Sequence, residues 1–194
     1  MRITNGGAAL ALVGPGLLAA LLIIAVWHDL KSRRIPNAVV FAGATLALVL
    51  NSILPAGSGL VDAVPGGIGL FKSLAGLGVG LALMLPLYLV RATGAGDVKL
   101  MAMVGAFVGP LDAVGAVVCT FVAGALLSLV VALKAGVLRQ AARNIKVICY
   151  SAFARLAAAQ GPVFDARTDT VARMPYALAI AVGTFGYLAL RLFN

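Results

Sequence analysis

Glutamate is absent from the 194 residues, histidine occurs once, at His28, and cysteine twice, at Cys119 and Cys149. A single histidine rules out an HExxH zinc protease. Without glutamate, a second histidine or a CxxC pair, no ordinary zinc ligand set can be assembled. Neither a metal nor a cofactor is therefore expected, and the cysteines read as two separate free thiols. A serine-histidine hydrolase would have to use His28, which abuts Asp29 and is expected at the level of the lipid headgroups. Charge is scarce too: 11% of the residues are charged and 62% hydrophobic, against roughly 25% and 45–50% in a soluble domain. With a mean hydropathy of +1.09, no water-soluble fold could bury so much apolar side chain.

What is present is a series of apolar runs, and uncharged runs near 20 residues fit the ~30 Å hydrocarbon core as helices. They predict an all-α, polytopic membrane protein built as a single domain over residues 1–194, with about six transmembrane helices. The spans are placed at Ala8 to Trp27, Ala38 to Leu54, Ser73 to Val90, Val98 to Val108, Ala113 to Leu133, and Tyr176 to Phe193. The first follows a lone Arg2 and has no small-residue cleavage site before Lys31, so it is expected to be a retained span. Between the second and third lies PAGSGLVDAVPGGIGLF, whose proline and glycine density predicts an irregular loop. Gly76 and Gly80 stand at GxxxG spacing, which lets a neighbouring helix approach closely. From Val137 to Ala159, Arg139, Arg143 and Lys146 share one helical stripe, and Leu138, Ala142, Ile145 and Cys149 another. This predicts an amphipathic helix along the cytoplasmic interface.

The net charge is +9, from fifteen Lys and Arg against six acidic residues. The basic residues sit in loops between apolar spans, a pattern of membrane orientation and anionic headgroups rather than of nucleic-acid binding. Six alternating spans bring Lys31, Arg33, Arg34, Arg91, Lys99, Lys134, Arg139, Arg143, Lys146, Arg155, Arg167 and Arg173 to one side, leaving Arg2, Lys72 and Arg191 on the other. The basic side is the cytoplasmic one, so both termini are predicted outside the cytoplasm.

All six acids are aspartates: Asp29, Asp62, Asp97, Asp112, Asp165 and Asp169. Asp29 follows the first span in His28-Asp29-Leu30-Lys31-Ser32-Arg33-Arg34-Ile35-Pro36-Asn37. Asp97 sits in Gly94-Ala95-Gly96-Asp97-Val98-Lys99, where two glycines allow backbone shapes and close approaches that a side chain would forbid. The stretch from Asp97 to Asp112 would cover roughly 24 Å as a helix, less than the hydrocarbon thickness, which draws Asp97 to the membrane boundary. The alternation of spans brings both aspartates to one face. A carboxyl pair can hydrolyse a peptide: an ionised Asp takes a proton from water while its protonated partner polarises the carbonyl. Spacing alone equally allows Asp29 to pair with Arg33 or Arg34 and Asp97 to cap the fourth helix.

Asp29 with Ile35-Pro36-Asn37, the Gly94-Ala95-Gly96-Asp97-Val98-Lys99 segment, and Met174-Pro175-Tyr176-Ala177-Leu178 opening the last span together resemble the type IV prepilin peptidases. Their shared element is the GxGD motif of intramembrane aspartic proteases, and the third segment is similar to the proline-alanine-leucine element of presenilins. By this resemblance Asp29 and Asp97 match the catalytic aspartates, and Gly94 and Gly96 the glycines that shape the second site. Pro36 and Asn37 belong to the first motif. Lys99 matches a lysine often found there and is expected to serve as a positive-inside anchor rather than in direct chemistry. Pro175 would fix the last helix start, with contact to extended substrate.

The resemblance implies cleavage of prepilin and pseudopilin precursors at the cytoplasmic face of the bacterial inner membrane, after a glycine ending a short basic leader. The brevity of the chain resembles the compact peptidases of tight-adherence pilus systems, and the cysteine-bearing domain of larger members, with its N-methylation, is not expected. Membrane lipids are the other expected partner, and self-association into a homo-oligomer is compatible with the sequence. The rival readings are a proton-coupled membrane transporter, which would want acids at the midplane or spread across depth, and a structural subunit of a secretion or pilus apparatus.

Overall fold

A computed structural model describes residues 5–55, 57, 60, 66–89, 93–134, 136 and 176–193, with side chains from residue 13 onward. Six helices are found among them: α1 (Asn5–Ser32), α2 (Asn37–Ile53), α3 (Leu70–Leu89), α4 (Ala95–Val108), α5 (Pro110–Lys134) and α6 (Tyr176–Phe193). The interfacial helix expected over Val137 to Ala159 lies outside the described residues, as do Asp62, Asp165, Asp169 and Pro175.

Four helices are long and apolar enough to cross a membrane: α1 over Val13–Ser32, α3, α5 and α6. Their outward faces suit hydrocarbon rather than water, for Phe71, Leu111 and Phe193 are each more than four-fifths exposed. In such surroundings every backbone N–H and C=O needs a partner within the protein, which selects helices. The remaining two are shorter, α2 at 17 residues and α4 at 14.

α4 is the centre of the bundle. It touches each of the other five helices, and every residue from Leu100 to Gly109 is buried. Being apolar on all sides, it has no polar face to show, and because protein sheathes it, its roughly 21 Å need not match the bilayer core. Its closest neighbour is α3. A Cβ on Gly76 would run into the Gly105 carbonyl, one on Gly105 into the Gly76 carbonyl, and one on Gly80 into that of Met101. The GxxxG spacing thus serves helix packing, as expected: the lost side chains let two backbones touch.

Contacts at the helix ends reveal an up-and-down arrangement. The end of α1 and the starts of α2, α4 and α6 meet at one end, joined by Asp29 with Ala177, Gly96 with Ile35, and Lys99 with Asn37. The end of α2, the start of α3 and the end of α4 meet at the other, joined by Asn51, Ser73 and Ala106. There too the start of α5 meets the end of α6, through Asp112 and Tyr187.

The helices outrun the apolar stretches that mark them. α1 continues past Trp27 to Ser32, so Asp29 lies in its last turns rather than in a turn beyond it. The polar tail stays helical because its backbone bonds are made: Arg33 N–H donates to the Asp29 carbonyl at 2.9 Å and the Ser32 hydroxyl to that of His28 at 2.8 Å. Arg33 then adopts a left-handed φ of 54°, the conformation that ends a helix. α4 likewise opens at Ala95, three residues before Val98, which puts Asp97 in its first turn.

Candidate active site

Asp29 is the one charged side chain among the described residues that is buried, 7% exposed. Its position follows from α1: Leu18, Leu22 and Ala25 face the core at helical spacing, and the next step along that stripe is Asp29. The carboxylate accepts a hydrogen bond from the Ala177 N–H at 3.1 Å. Ala177 is the second residue of α6, and its amide is among those a helix start leaves without an intrahelical partner. The residue before α6 is a proline by sequence, with no side-chain oxygen to cap it. A carboxylate from α1 does so instead, adding favourable charge at the positive end of the helix dipole.

Asp97 occupies the third position of α4, half-buried. Its Oδ2 accepts from the Gly94 N–H at 2.9 Å, while its own N–H donates to the Gly94 carbonyl at 3.1 Å. This reciprocal closure holds the loop against the helix start. Capping is therefore part of what Asp97 does.

The two glycines serve close approach rather than unusual backbone. Gly94 has φ −83° and ψ 154°, an extended conformation open to any residue, but a Cβ there would lie 3.2 Å from Asp97 Oδ2. At Gly96 a Cβ would press on Ile35, with its nearest atom at 3.3 Å. The segment joining α1 to α2 therefore lies directly on the first turn of α4, which bears Asp97. Pro36 occupies the N-cap of α2 with φ −63° and ψ 128°, and its carbonyl accepts from Val39 N–H at 3.2 Å. Asn37, the first residue of α2, accepts a hydrogen bond from Lys99 Nζ at 3.0 Å. His28 takes no part: its Nδ1 lies 2.9 Å from the Ile24 carbonyl of its own helix.

Asp112 is held at the opposite end. It accepts from the Tyr187 hydroxyl at 2.7 Å and pairs with Arg191 at 3.3 Å, so its charge is answered where it stands. The described residues thus place Asp112 at one end of the bundle and Asp29 and Asp97 at the other.

The sequence profile of the type IV leader peptidase family matches residues 16–129. The chain belongs to that family. The matched stretch contains Asp29, Pro36, Asn37, Gly94, Gly96, Asp97 and Lys99, and stops short of α6. No curated protein and no solved structure matches the chain. Membership in the leader peptidase family makes the protein a membrane-bound protease, in a family that acts on prepilin-type substrates generally. One feature of this leader peptidase has no signature in the sequence: the Ala177 amide that meets Asp29 lies in the Met174–Leu178 segment, and a backbone N–H is common to every residue but proline.

Proposed function

We propose that this chain is an aspartic endopeptidase of the GxGD type, in which Asp29 and Asp97 share one proton and cleave the basic leader from prepilin-like precursors at the cytoplasmic membrane face. The observation that carries the reading is the gathering of Asp29 and Asp97 at one end of the bundle, where the segment that follows Asp29 packs on Gly96 and bonds to Lys99 on either side of Asp97, while Asp112 pairs with Arg191 at the other. Carboxyl groups held close resist ionising together, so one holds the proton. The ionised member takes a proton from water, and the protonated member donates to the scissile carbonyl as the tetrahedral centre forms. Each carboxylate here accepts a backbone N–H, a contact that keeps it oriented.

The basic distribution supports the orientation and the count of six spans. Lys31, Arg33, Arg34, Lys99 and Lys134 belong to the aspartate end, against Lys72 and Arg191 at the other, where Arg191 is paired with Asp112. An excess of lysine and arginine marks the cytoplasmic side, in a bacterium the inner face of the inner membrane.

Co-expression with prepilin-like precursors, scored by the mass of the product, tests the proposal. Wild-type chain should release a leader ending in glycine, and Asp29→Asn and Asp97→Asn should each release none while inserting normally. Cleavage by both variants at the wild-type rate would remove the aspartic mechanism.

A further inference from the structure

Lys99 is the anomaly of α4. It is a cation in the second turn of the most enclosed helix, near the positive end of the helix dipole, where a positive charge is disfavoured, and the rest of that helix is sheathed in apolar side chains. The Lys99 ammonium donates to Asn37 Oδ1 at 3.0 Å and stands 5.4 Å from the centre of the Phe41 ring, both on α2. The second distance is within cation–π range. The hydrogen bond and ring contact occupy the ammonium on one neighbour, at the first residue of α2 and again one turn later. Beside it, Gly96 packs on Ile35. Ile35 and Asn37 belong to the segment that continues from Asp29, while Gly96 and Lys99 flank Asp97.

We propose that Lys99 and Asn37 form a strut that sets the relative placement of the two aspartate-bearing segments, with Lys99 acting as a positioning residue through Asn37 and Phe41 and not as a substrate ligand. The strut rests on the aspartic reading for its effect on catalysis, but not for its effect on geometry. The apolar contact at Gly96 and Ile35 limits how closely the segments approach. It does not stop them sliding along one another, and a directional charge-assisted hydrogen bond does. Arginine can keep the donor and the stacking on Phe41, whereas methionine keeps only the stem.

The test uses the full-length chain with Cys119 and Cys149 replaced by serine and a synthetic precursor carrying a basic leader that ends in glycine ahead of an apolar helix. Lys99→Met and Asn37→Ala should each lower kcat roughly ten- to a hundredfold, since small misplacements of reacting groups cost that much, while KM stays within about twofold. The double variant should be no worse than either single one, the mark of a shared interaction. Lys99→Arg should recover most of kcat. Spin labels at Lys31 and Ala95, both exposed, should report a distance distribution that broadens in Lys99→Met and returns in Lys99→Arg. A rise in KM with kcat preserved would make Lys99 a substrate ligand and overturn the strut, as would additive losses in the double variant or an unchanged label distance. If Asp29→Asn and Asp97→Asn still cleave, the aspartic reading falls, and the spin-label measurement still decides the strut.

Discussion

At its C-terminal end α4 gives its last carbonyls to neutral donors. Asn51 Nδ2 donates to the Ala106 carbonyl at 2.9 Å, the Ser73 hydroxyl donates to the same oxygen at 2.6 Å, and Asn51 Oδ1 accepts the Ile68 N–H at 3.3 Å. Asn51 and Ser73 are both buried. At its N-terminal end the same helix carries the Asp97 carboxylate and the Lys99 ammonium, on the end of the bundle where Asp29 caps α6. Both ends face one problem, that a helix of 14 residues leaves unpaired groups at depths where water is scarce. An end closed by amides and hydroxyls is indifferent to pH and to substrate. An end closed by acids can exchange protons, as the proposed aspartic chemistry requires.

The sharpest way to break this comparison is to make the reactive end resemble the neutral one. Asp97→Asn keeps an oxygen for the Gly94 N–H but cannot exchange the shared proton, so cleavage should fall on the order of a thousandfold or more, and the Asp29→Asn, Asp97→Asn double variant should fall no further. Membrane insertion and helix content, followed by fractionation and circular dichroism, should be unchanged. A double variant markedly slower than either single one would mean that the acids act separately.

Packing between the two ends comes next. Gly105→Val places a side chain against the Gly76 carbonyl, and forcing α3 off α4 should destabilise the fold by roughly 3 kcal/mol. Reversible unfolding in mixed micelles measures it. Wild-type stability would show that the two backbones are not truly in contact.

The neutral end should then show a loss of stability without a loss of chemistry. Asn51→Leu strips donors from the Ala106 and Phe107 carbonyls and should cost about 1–3 kcal/mol, while kcat per folded molecule stays at the wild-type value. A fall in kcat of the size seen for Asp97→Asn would show that the two ends are coupled through α4.

The smallest effect is expected at Asp112. Asp112→Asn retains an acceptor for Tyr187 but leaves Arg191 without its countercharge. With the Arg191 side chain 44% exposed, the change should cost about 1 kcal/mol or less and leave cleavage intact. Abolished cleavage would place a third acid in the reaction.

Much of this protein was legible before any contact was known. The choice of Asp29 and Asp97 comes from the motif resemblance, since spacing alone equally allows ion pairing and capping; helix class and the positions of all six described helices follow from apolar runs. Those properties belong to a segment and its solvent, and so are written locally. The helix ends were less legible, because hydropathy stops at the first polar residue while the hydrogen-bond ladder does not; His28 to Ser32 remained helical for that reason. The Asn51 and Ser73 clasp also went unseen. Each is a lone polar residue in or beside an apolar run, and only their occurrence at the same predicted end of the bundle hinted that they meet.

By itself, then, the sequence determined that the chain is helical and membrane-embedded, and which acids sit where ionisation is expensive. Tertiary structure alone decided that α4 is the enclosed helix, that Asp29 caps α6 through the Ala177 amide, and that Lys99 turns to Asn37. The physical reason is range. Hydropathy and helix periodicity act over a few neighbouring residues. The partner of a carboxylate or an ammonium is chosen by whichever helix packing brings within about 3 Å, and Asp29 and Ala177 are 148 residues apart in the chain.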